Sequence, residues 1–384
     1  MQKKNVSKKV TATILSMSLL TVMAGAAIAP ALGIIKAHFS GANDLLVQLI
    51  VSMPALLIIV TNLFFLSISR RLRTRAIATT GLLLYVAAGA GCYFVDDIYV
   101  LLAMRALLGV SVGLIMPLST GLLAYYFPPE EQARLMGLSA AMNQMGGVVA
   151  TLLAGVLAAV EWHYAFLVYL AGLLAIVLVA AKLPNEWLAS TGSRLELKTL
   201  VRFHPSVTAM LLIMLLFFVY PTNFALTAHG QGVPMLTTTL IMVGLDVVAF
   251  VVGLLFGWLM HHLRRQMKYV APLFFLAGYA VLAFVPGLAG MIVGSALVGM
   301  ANGAGVPYVN TIASIKGGKD AAITVMPLIS AALYLGQFLS PLIVEPLSRA
   351  LAVENAPYLV AMCIAVLFLV QVFLTRRHHA LPPA

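Results

Sequence analysis

The stretch Arg105-Ala-Leu-Leu-Gly-Val-Ser-Val-Gly-Leu-Ile-Met-Pro117 recurs 190 positions later as Ser295-Ala-Leu-Val-Gly-Met-Ala-Asn-Gly-Ala-Gly-Val-Pro307. The identical positions are Ala106 with Ala296, Leu107 with Leu297, Gly109 with Gly299, Gly113 with Gly303, and Pro117 with Pro307. The same shift places Gly146 over Gly336, and 190 is close to half of the 384 residues. Similarity at one fixed period indicates a repeated structural unit. The chain is therefore predicted to consist of two similar halves.

The composition requires an apolar solvent around the protein. Hydrophobic residues make up 62% of the chain, charged residues make up 9%, and the mean hydropathy is +1.03. In soluble domains about a quarter of the residues are charged. A helix that crosses a membrane needs about 20 mostly apolar residues. The sequence holds twelve such runs, at 10–35, 45–68, 76–95, 98–126, 136–160, 164–182, 206–228, 236–260, 269–287, 289–312, 322–345 and 357–375.

These runs predict an all-α integral membrane protein in which twelve transmembrane helices form two pseudo-symmetric six-helix bundles. The predicted amino-terminal half covers residues 1–182, and the carboxy-terminal half covers residues 206–384. A cytoplasmic linker is predicted between them, at 183–205. The first run follows four lysines, as in a secretory signal, but it is longer than a signal core. We therefore expect it to be retained as the first helix.

Positive charge alternates between successive gaps, which predicts the topology. Twenty of the 23 lysine and arginine residues fall in the two termini and in every second gap. Only Lys36 and Arg349 fall in the other gaps, and Arg105 lies within a run. Lysine and arginine in short loops favour the cytoplasmic side. We expect a multi-pass plasma-membrane protein with both termini in the cytoplasm, and these clusters account for the net charge of +11 without a nucleic-acid partner.

Several other classes of protein are disfavoured by what the sequence lacks. Cys92 and Cys363 lie far apart in apolar runs, so neither a disulfide framework nor a metal site is expected. The segment Gly317-Gly-Lys319 has neither the spacing nor the hydroxyl residue of a phosphate-binding loop. No cofactor is expected. A membrane enzyme is disfavoured because no His-Glu-x-x-His pair is present, and a receptor because no sizeable soluble domain is present.

Two charged residues within runs are candidates for proton coupling. Arg105 lies about seven residues inside the fourth run and Asp246 about ten inside the eighth, and ionisable groups inside the membrane are usually functional. Ala249, Gly253 and Gly257 form a small-residue stripe on the face of Asp246, which predicts a neighbouring helix there. The alternative is a structural carboxylate satisfied by hydroxyl or amide groups. The similar depths permit an ion pair, or a pair bridged by substrate.

Uncharged polar residues within the runs are candidates to line a substrate cavity. Such side chains also commonly hold helices together, so both interpretations stay open. The candidates are Asn143, Gln144, Asn223, Asn302, Asn310, Tyr334 and Gln337. A second group is assigned to gating; it lies in and near the basic turns after the second and eighth runs, except for two glycines of the fourth run. For the basic turns, topology anchoring is the alternative. The gating candidates are Arg70, Arg71, Arg73, Gly109, Gly113, Gly257, His261, Arg264 and Arg265.

Over nearly its full length the chain resembles the major facilitator superfamily, and within it the twelve-helix drug:proton antiporter group. The turn that ends in Arg70-Arg71-Leu72-Arg73-Thr74-Arg75 partly matches the family motif G-x-L-x-D-R-x-G-R-R, with Arg70 at the aspartate position. Leu101, Arg105 and Gly109 match the fourth-helix motif L-x-x-x-R-x-x-Q-G. The fifth-helix antiporter motif is weak, because Thr151 occupies its proline position.

The resemblance implies a monomeric secondary transporter that works by alternating access. In the family, helices one, four, seven and ten line a central cavity, and the fourth-helix arginine is linked to proton coupling. This implies efflux of small apolar or cationic compounds by antiport with protons. Asp246 would carry the proton and Arg105 would tune its pKa. A proton symporter or uniporter for a specific nutrient or metabolite is the alternative.

Overall fold

A computed structural model describes residues 8–127, 129–187, 197–317, 325–353 and 355–375. These ranges contain twelve helices long and apolar enough to cross a membrane, and no strand, so the predicted fold class and helix number are confirmed. The helices are α1 (Lys8–Ala26, continued by Leu32–His38), α2 (Asp44–Ser69), α3 (Thr74–Gly91), α4 (Ile98–Tyr126), α5 (Pro129–Ala158), α6 (Gly172–Lys182, preceded by a 3₁₀ helix at Trp162–Ala171), α7 (Leu197–Gly230), α8 (Met235–Leu254), α9 (Met267–Phe284), α10 (Gly287–Gly317), α11 (Met326–Leu351) and α12 (Ala356–Leu374).

Two helices depart from the predicted runs. The run 10–35 was expected to be one helix, but α1 breaks after Ala26 and resumes at Leu32 through a 3₁₀ turn that contains Pro30. Proline lacks the N–H that an α-helix needs at this point. The run 236–260 was also expected to be one helix, but α8 ends at Leu254, and a separate short helix covers Phe256–Leu263.

The chain divides into two compact units. Unit 1 comprises Met1–Thr191 and Ala228–Thr239, and unit 2 comprises Gly192–Thr227 and Leu240–Ala384. In unit 1, α4 packs against α1, α2 and α3, α5 packs against α1, and α6 packs against α3. In unit 2, α9 packs against α10 and α12, and α12 packs against α11. The predicted boundaries of the halves and linker stay predictions, since residues 188–196 lie outside the described ranges.

The repeated glycines permit equivalent close helix contacts in the two units. In unit 1, a Cβ atom added at Gly109 would collide with the backbone of Pro54 in α2. In unit 2, a Cβ at Gly299 would lie 2.6 Å from the carbonyl oxygen of Leu245 in α8, and one at Gly303 would collide with the backbone of Ala249. The helices can approach because these positions have no side chain. The sequence repeat thus corresponds to a repeated backbone contact.

Gly146 and Gly336 extend this correspondence to a second pair of helices. A Cβ at Gly146 of α5 would collide with the carbonyl of Leu19 in α1. A Cβ at Gly336 of α11 would lie 2.5 Å from the carbonyl oxygen of Leu211 in α7. Each unit therefore brings the corresponding helices together at a glycine, as the shift of 190 indicates.

Candidate functional site

Among the residues of unit 1 whose burial is described, Arg105 is the most completely buried charged side chain, with 0% exposure. Its Nε atom donates to the carbonyl oxygen of Ile50 at 2.6 Å, and its Nη2 atom donates to that of Ala24 at 2.6 Å. Its Nη1 atom donates to the hydroxyl of Tyr169 at 2.6 Å. The Tyr169 hydroxyl in turn donates to Ala24 at 3.1 Å. Arg105 of α4 therefore joins α1, α2 and the helical segment that leads into α6.

Both carbonyl acceptors lie where a helix has lost a backbone donor. In α2 the carbonyl of Ile50 would accept from residue 54, but Pro54 has no N–H to give. Ala24 lies in the last turn of the first segment of α1, where carbonyl groups lack helical partners. A buried carbonyl without a donor costs about 1–3 kcal/mol. The guanidinium of Arg105 supplies these donors.

The hydrogen-bond partners of Arg105 among the described residues are thus carbonyl and hydroxyl groups of unit 1 rather than a carboxylate. Asp246 belongs to unit 2. This arrangement supports a structural role for Arg105, in which the charge is distributed over neutral acceptors. Its predicted action on Asp246 stays a prediction.

At the corresponding position of unit 2, Ser295 takes the place of Arg105. The hydroxyl of Ser295 donates to the carbonyl of Met291 at 2.6 Å and lies 2.7 Å from the hydroxyl of Tyr220. Because the serine proton is used on Met291, the tyrosine is the donor in that pair. Tyr220 is 1% exposed and also packs on Phe224. Gly109 meets Pro54 and its counterpart Gly299 meets Leu245, so unit 2 has Leu245 where unit 1 has Pro54. Unit 2 therefore has no carbonyl freed by a proline at this point.

Asp246 lies within α8 and is half-buried. Its carboxylate interacts electrostatically with the hydroxyl of Tyr220 in α7. The predicted small-residue stripe is only partly correct. Ala249 is buried against Gly303, but Gly253 and Gly257 are exposed, and a Cβ at Gly257 would meet nothing within 4 Å. Gly257 lies beyond the end of α8 at Leu254, so the small-residue stripe does not continue on one helix.

Two of the cavity candidates make hydrogen bonds within the helix bundle: one joins two helices, and the other lies within a single helix. The side-chain oxygen of Asn143 in α5 accepts from the hydroxyl of Thr21 in α1 at 2.9 Å. The amide of Asn223 donates within α7 to the carbonyl of Val219 at 2.9 Å, and the residue is 3% exposed. These two interactions support the structural interpretation of both residues.

The other five cavity candidates lie within α5, α10 and α11. The side-chain oxygen of Asn302 in α10 is buried and has no hydrogen-bond partner among the described residues. Gln337 makes a 3.7 Å contact with the sulfur of Met214. The remaining three are half-buried in their helices: Gln144, Asn310 and Tyr334.

The basic turn after α2 holds the segment that follows α6. Arg75 donates from Nε and Nη2 to the carbonyl of Leu183, at 2.9 and 2.7 Å. The Thr74 hydroxyl donates to the carbonyl of Pro184 at 2.8 Å and accepts from the backbone N–H of Glu186 at 3.1 Å. Arg73 lies 5.7 Å from the ring centre of Trp187. We call this contact between 73–75 and 183–187 the linker anchor; Arg70 and Arg71 are exposed beside it.

Glu345 is a buried carboxylate that the sequence analysis missed. It is 6% exposed in α11 and accepts from Nε of Arg349 one turn later, at 2.7 Å. The apolar run was predicted to end at residue 345, with Arg349 in the following loop, whereas α11 continues to Leu351. The i, i+4 spacing of an acid and a base was the available signal.

A second missed cluster lies at one end of unit 1. His163 bridges Glu161 and Asp96, at 2.9 and 3.1 Å, and stacks on Trp162. His38 reaches the same Asp96 carboxylate at 3.6 Å. These residues come from three gaps of the chain, so no local spacing could indicate the cluster. Among the described residues no group of three or more such side chains has the arrangement of a metal site.

Comparison with known proteins gives partial sequence relatives and full-length structural ones. The chain is 31% identical over 115 residues to "Probable anion transporter 4, chloroplastic" of Arabidopsis thaliana, covering 29% of this chain and 19% of that protein. It is 24% identical over 114 residues to the multidrug transporter protein MdtP of Bacillus subtilis (strain 168), covering 29% and 21%. The matches thus span only about a fifth of these relatives.

Similarity of fold extends over the whole chain. A bacterial homolog of the human lysosomal transporter Spinster, in an inward-facing and occupied conformation, superposes with a TM-score of 0.80. The sequence identity is 14%, and the alignment covers 100% of both chains. The family model described as Major Facilitator Superfamily matches residues 14–341. The chain therefore belongs to the Major Facilitator Superfamily and is a multi-pass membrane transporter of small-molecule substrates rather than an enzyme.

Proposed function

We propose that this transporter is a secondary active carrier that exports small apolar or cationic compounds in exchange for protons, with Asp246 as the proton-carrying group. The position of Asp246 carries the proposal. It is the twelfth of the 20 residues of α8, about 16 Å along a helix that rises 1.5 Å per residue. A carboxylate at such depth is costly to keep and typically lies on an ion pathway.

The neighbourhood of Asp246 is suited to both protonation states. Tyr220 gives its proton to Ser295, so lone pairs of its hydroxyl oxygen remain to accept from a protonated carboxyl group. Tyr220 also makes an electrostatic interaction with Asp246. A half-buried carboxyl group beside a buried hydroxyl can thus gain and lose a proton without leaving its helix.

The substrate would be held mainly by apolar surface and a few amide groups. The unsatisfied side-chain oxygen of Asn302 supports a role in binding, because a buried acceptor gains free energy when a ligand donor reaches it. The resemblance to a protein named as a multidrug transporter favours export of such compounds. Alternating exposure of one site to the two sides of the membrane would complete the cycle.

A proton symporter or uniporter for a specific metabolite is the second candidate. It is favoured by the relative named as an anion transporter, which shares the higher identity of the two partial matches. The two candidates differ in selectivity, since an exporter of drugs should accept chemically unlike compounds.

Proton release on substrate addition tests the proposal. Purified protein in weakly buffered detergent would be mixed with lipophilic cations, neutral drugs and small metabolites, and the pH recorded. Asp246→Asn removes the titratable group. Asp97→Asn is the matched control, because Asp97 caps α4 through the N–H groups of Tyr99 and Val100, and asparagine also caps helices well.

Proton release with several unlike compounds, lost in Asp246→Asn and kept in Asp97→Asn, is the expected result. Binding without proton release, confined to one compound class, would favour a uniporter. Release that persists in Asp246→Asn would remove Asp246 from the mechanism.

A further inference from the structure

The segment 255–266 between α8 and α9 is not needed to cross the membrane. The 20 residues of α8 extend about 30 Å and the 18 residues of α9 about 27 Å, at 1.5 Å per residue. A transmembrane helix takes about 17–25 residues to cross a hydrocarbon core about 30 Å thick, and both helices fall within that range. Both helices therefore suffice as spans, and the segment that joins them, which we call the α8–α9 turn, belongs at the membrane boundary.

The short helix of this turn has no buried residue. It covers Phe256–Leu263, and each of its side chains is at least partly accessible. Trp258 is 59% exposed, and the preceding Leu254 is 69% exposed. Tryptophan is enriched where a membrane meets water, since its ring is apolar and its N–H is polar. An exposed apolar helix of this kind is typical of a segment that lies in the interfacial region.

The turn also carries unpaired positive charge. His261, His262, Arg264 and Arg265 are exposed. Among the described residues, neither guanidinium group has an acidic partner or a hydrogen bond. The sequence has no acidic residue between Asp246 and Asp320, so none can come from the turn itself.

In the equivalent turn of unit 1, the arginines contact another segment of the chain. A shift of 191 places Leu72-Arg73 over Leu263-Arg264. In unit 1 Arg75 donates to Leu183 and Arg73 stacks on Trp187, so the linker anchor occupies both guanidinium groups. The described part of unit 2 supplies no such segment. Within the described residues, Arg264 and Arg265 are therefore left available to a ligand.

We propose that the α8–α9 turn binds the headgroups of anionic phospholipids, with Arg264 and Arg265 on the phosphate groups and Trp258 at the level of the ester linkages. Guanidinium groups bind phosphate through paired, charge-assisted hydrogen bonds. The exposed apolar surface of Leu254, at the end of α8, continues through Trp258 to the basic cluster. This continuity favours a lipid, which has an apolar and an anionic part, over a soluble acidic protein.

Brominated lipids test the proposal through tryptophan fluorescence. The chain contains Trp162, Trp187 and Trp258, so Trp162→Phe with Trp187→Phe leaves Trp258 as the single reporter. The full-length protein would be placed in vesicles of phosphatidylglycerol and phosphatidylcholine at one fixed ratio. Bromine would be carried by one lipid or by the other. We expect brominated phosphatidylglycerol to quench Trp258 more strongly than brominated phosphatidylcholine.

Two pairs of substitutions separate a specific site from general charge attraction. Arg264→Gln with Arg265→Gln should reduce the preference by tenfold or more, since each basic residue near an anionic surface changes lipid binding by about fivefold. Arg71→Gln with Arg202→Gln removes two exposed arginines elsewhere and should leave the preference unchanged. Native mass spectrometry of phosphatidylglycerol retained by the protein with all three tryptophans gives an independent measurement if the reporter variant is unstable.

Several results would overturn the proposal. Equal quenching by the two brominated lipids would show that the turn does not select anionic headgroups. An equal loss in both pairs of substitutions would assign the preference to net charge. Competition by inorganic phosphate at constant ionic strength would identify a site for free phosphate instead of lipid.

Discussion

The Nε atom of Arg105 lies 2.6 Å from the carbonyl oxygen of Ile50, the oxygen that Pro54 leaves without a helical donor. The charge of α4 and the proline of α2 are therefore parts of one interaction. Unit 2 has neither, since Ser295 and Leu245 occupy the corresponding positions. The two repeats therefore differ at both positions of this interaction. The coupling between Arg105 and Pro54 can be tested by substituting each residue alone and both together.

Arg105→Met is expected to lower thermal stability strongly, because the carbonyl groups of Ile50 and Ala24 would each lose a donor, at about 1–3 kcal/mol per acceptor. In a Pro54→Ala background, residue 54 regains an N–H for Ile50, and the same substitution should cost about 1 kcal/mol less. The measurement is the unfolding midpoint of the four proteins in detergent. Strict additivity of the two substitutions would contradict the coupling.

Gly303→Ala is expected to destabilise the protein by about 1–3 kcal/mol, as overpacking does, because its Cβ would collide with the backbone of Ala249. Gly244→Ala in α8 is the matched control, since a Cβ there would meet nothing within 4 Å. The control should be neutral or slightly stabilising, by up to about 1 kcal/mol, because alanine favours helix over glycine. Unfolding midpoints measure both, and equal effects would refute the close contact.

Thr74→Val is expected to release the segment 183–187, because valine keeps the shape of threonine but loses its two side-chain hydrogen bonds in the linker anchor. A spin label at Asn185→Cys, in a Cys363→Ala background, would report greater mobility. Arg71→Gln alters the same basic turn without a contact to the anchor and should leave the label unchanged. Unaltered mobility in Thr74→Val would mean that the other contacts suffice.

Arg349→Met is expected to destabilise more than Glu345→Gln. The first substitution leaves a carboxylate that is 6% exposed without this cation, whereas the second leaves a half-exposed arginine that water can solvate. Because Arg349 is half exposed, the expected cost is that of a buried acceptor that loses one donor, about 1–3 kcal/mol. The double substitution should recover part of the loss. Unfolding midpoints of the three variants would decide, and the reverse order would contradict the burial argument.

The sequence predicted the features that depend on long patterns. Run length indicates each span because lipid requires about 20 apolar residues, and the spacing of Gly299 and Gly303 indicates the repeated contact because close helix approach requires small residues. It did not predict the end of α8, since Leu255, Trp258 and Met260 keep the run apolar whether the helix continues or turns along the boundary.

The partners of Arg105 could not be predicted for a different reason. Every residue has a backbone carbonyl group, so the sequence does not indicate which of them accepts from Arg105. A carboxylate is visible in the sequence, and Asp246 was therefore the predicted partner. Pro54 was the available signal, since a proline within a helix always leaves an acceptor four residues earlier. The linker anchor could not be predicted for the same reason, because Leu183 and Pro184 take part in it through their carbonyl groups.

The order of these partners along the chain has a consequence for biosynthesis. Ala24 and Ile50 are translated before Arg105, and Tyr169 is translated after it. An arginine at the centre of a membrane helix costs about 2.5–3.5 kcal/mol to insert. Because α1 and α2 precede α4 at the ribosome, their carbonyl groups are already within the bilayer when the charge arrives. The two carbonyl acceptors are thus synthesised before Arg105, and the hydroxyl acceptor of Tyr169 is synthesised after it.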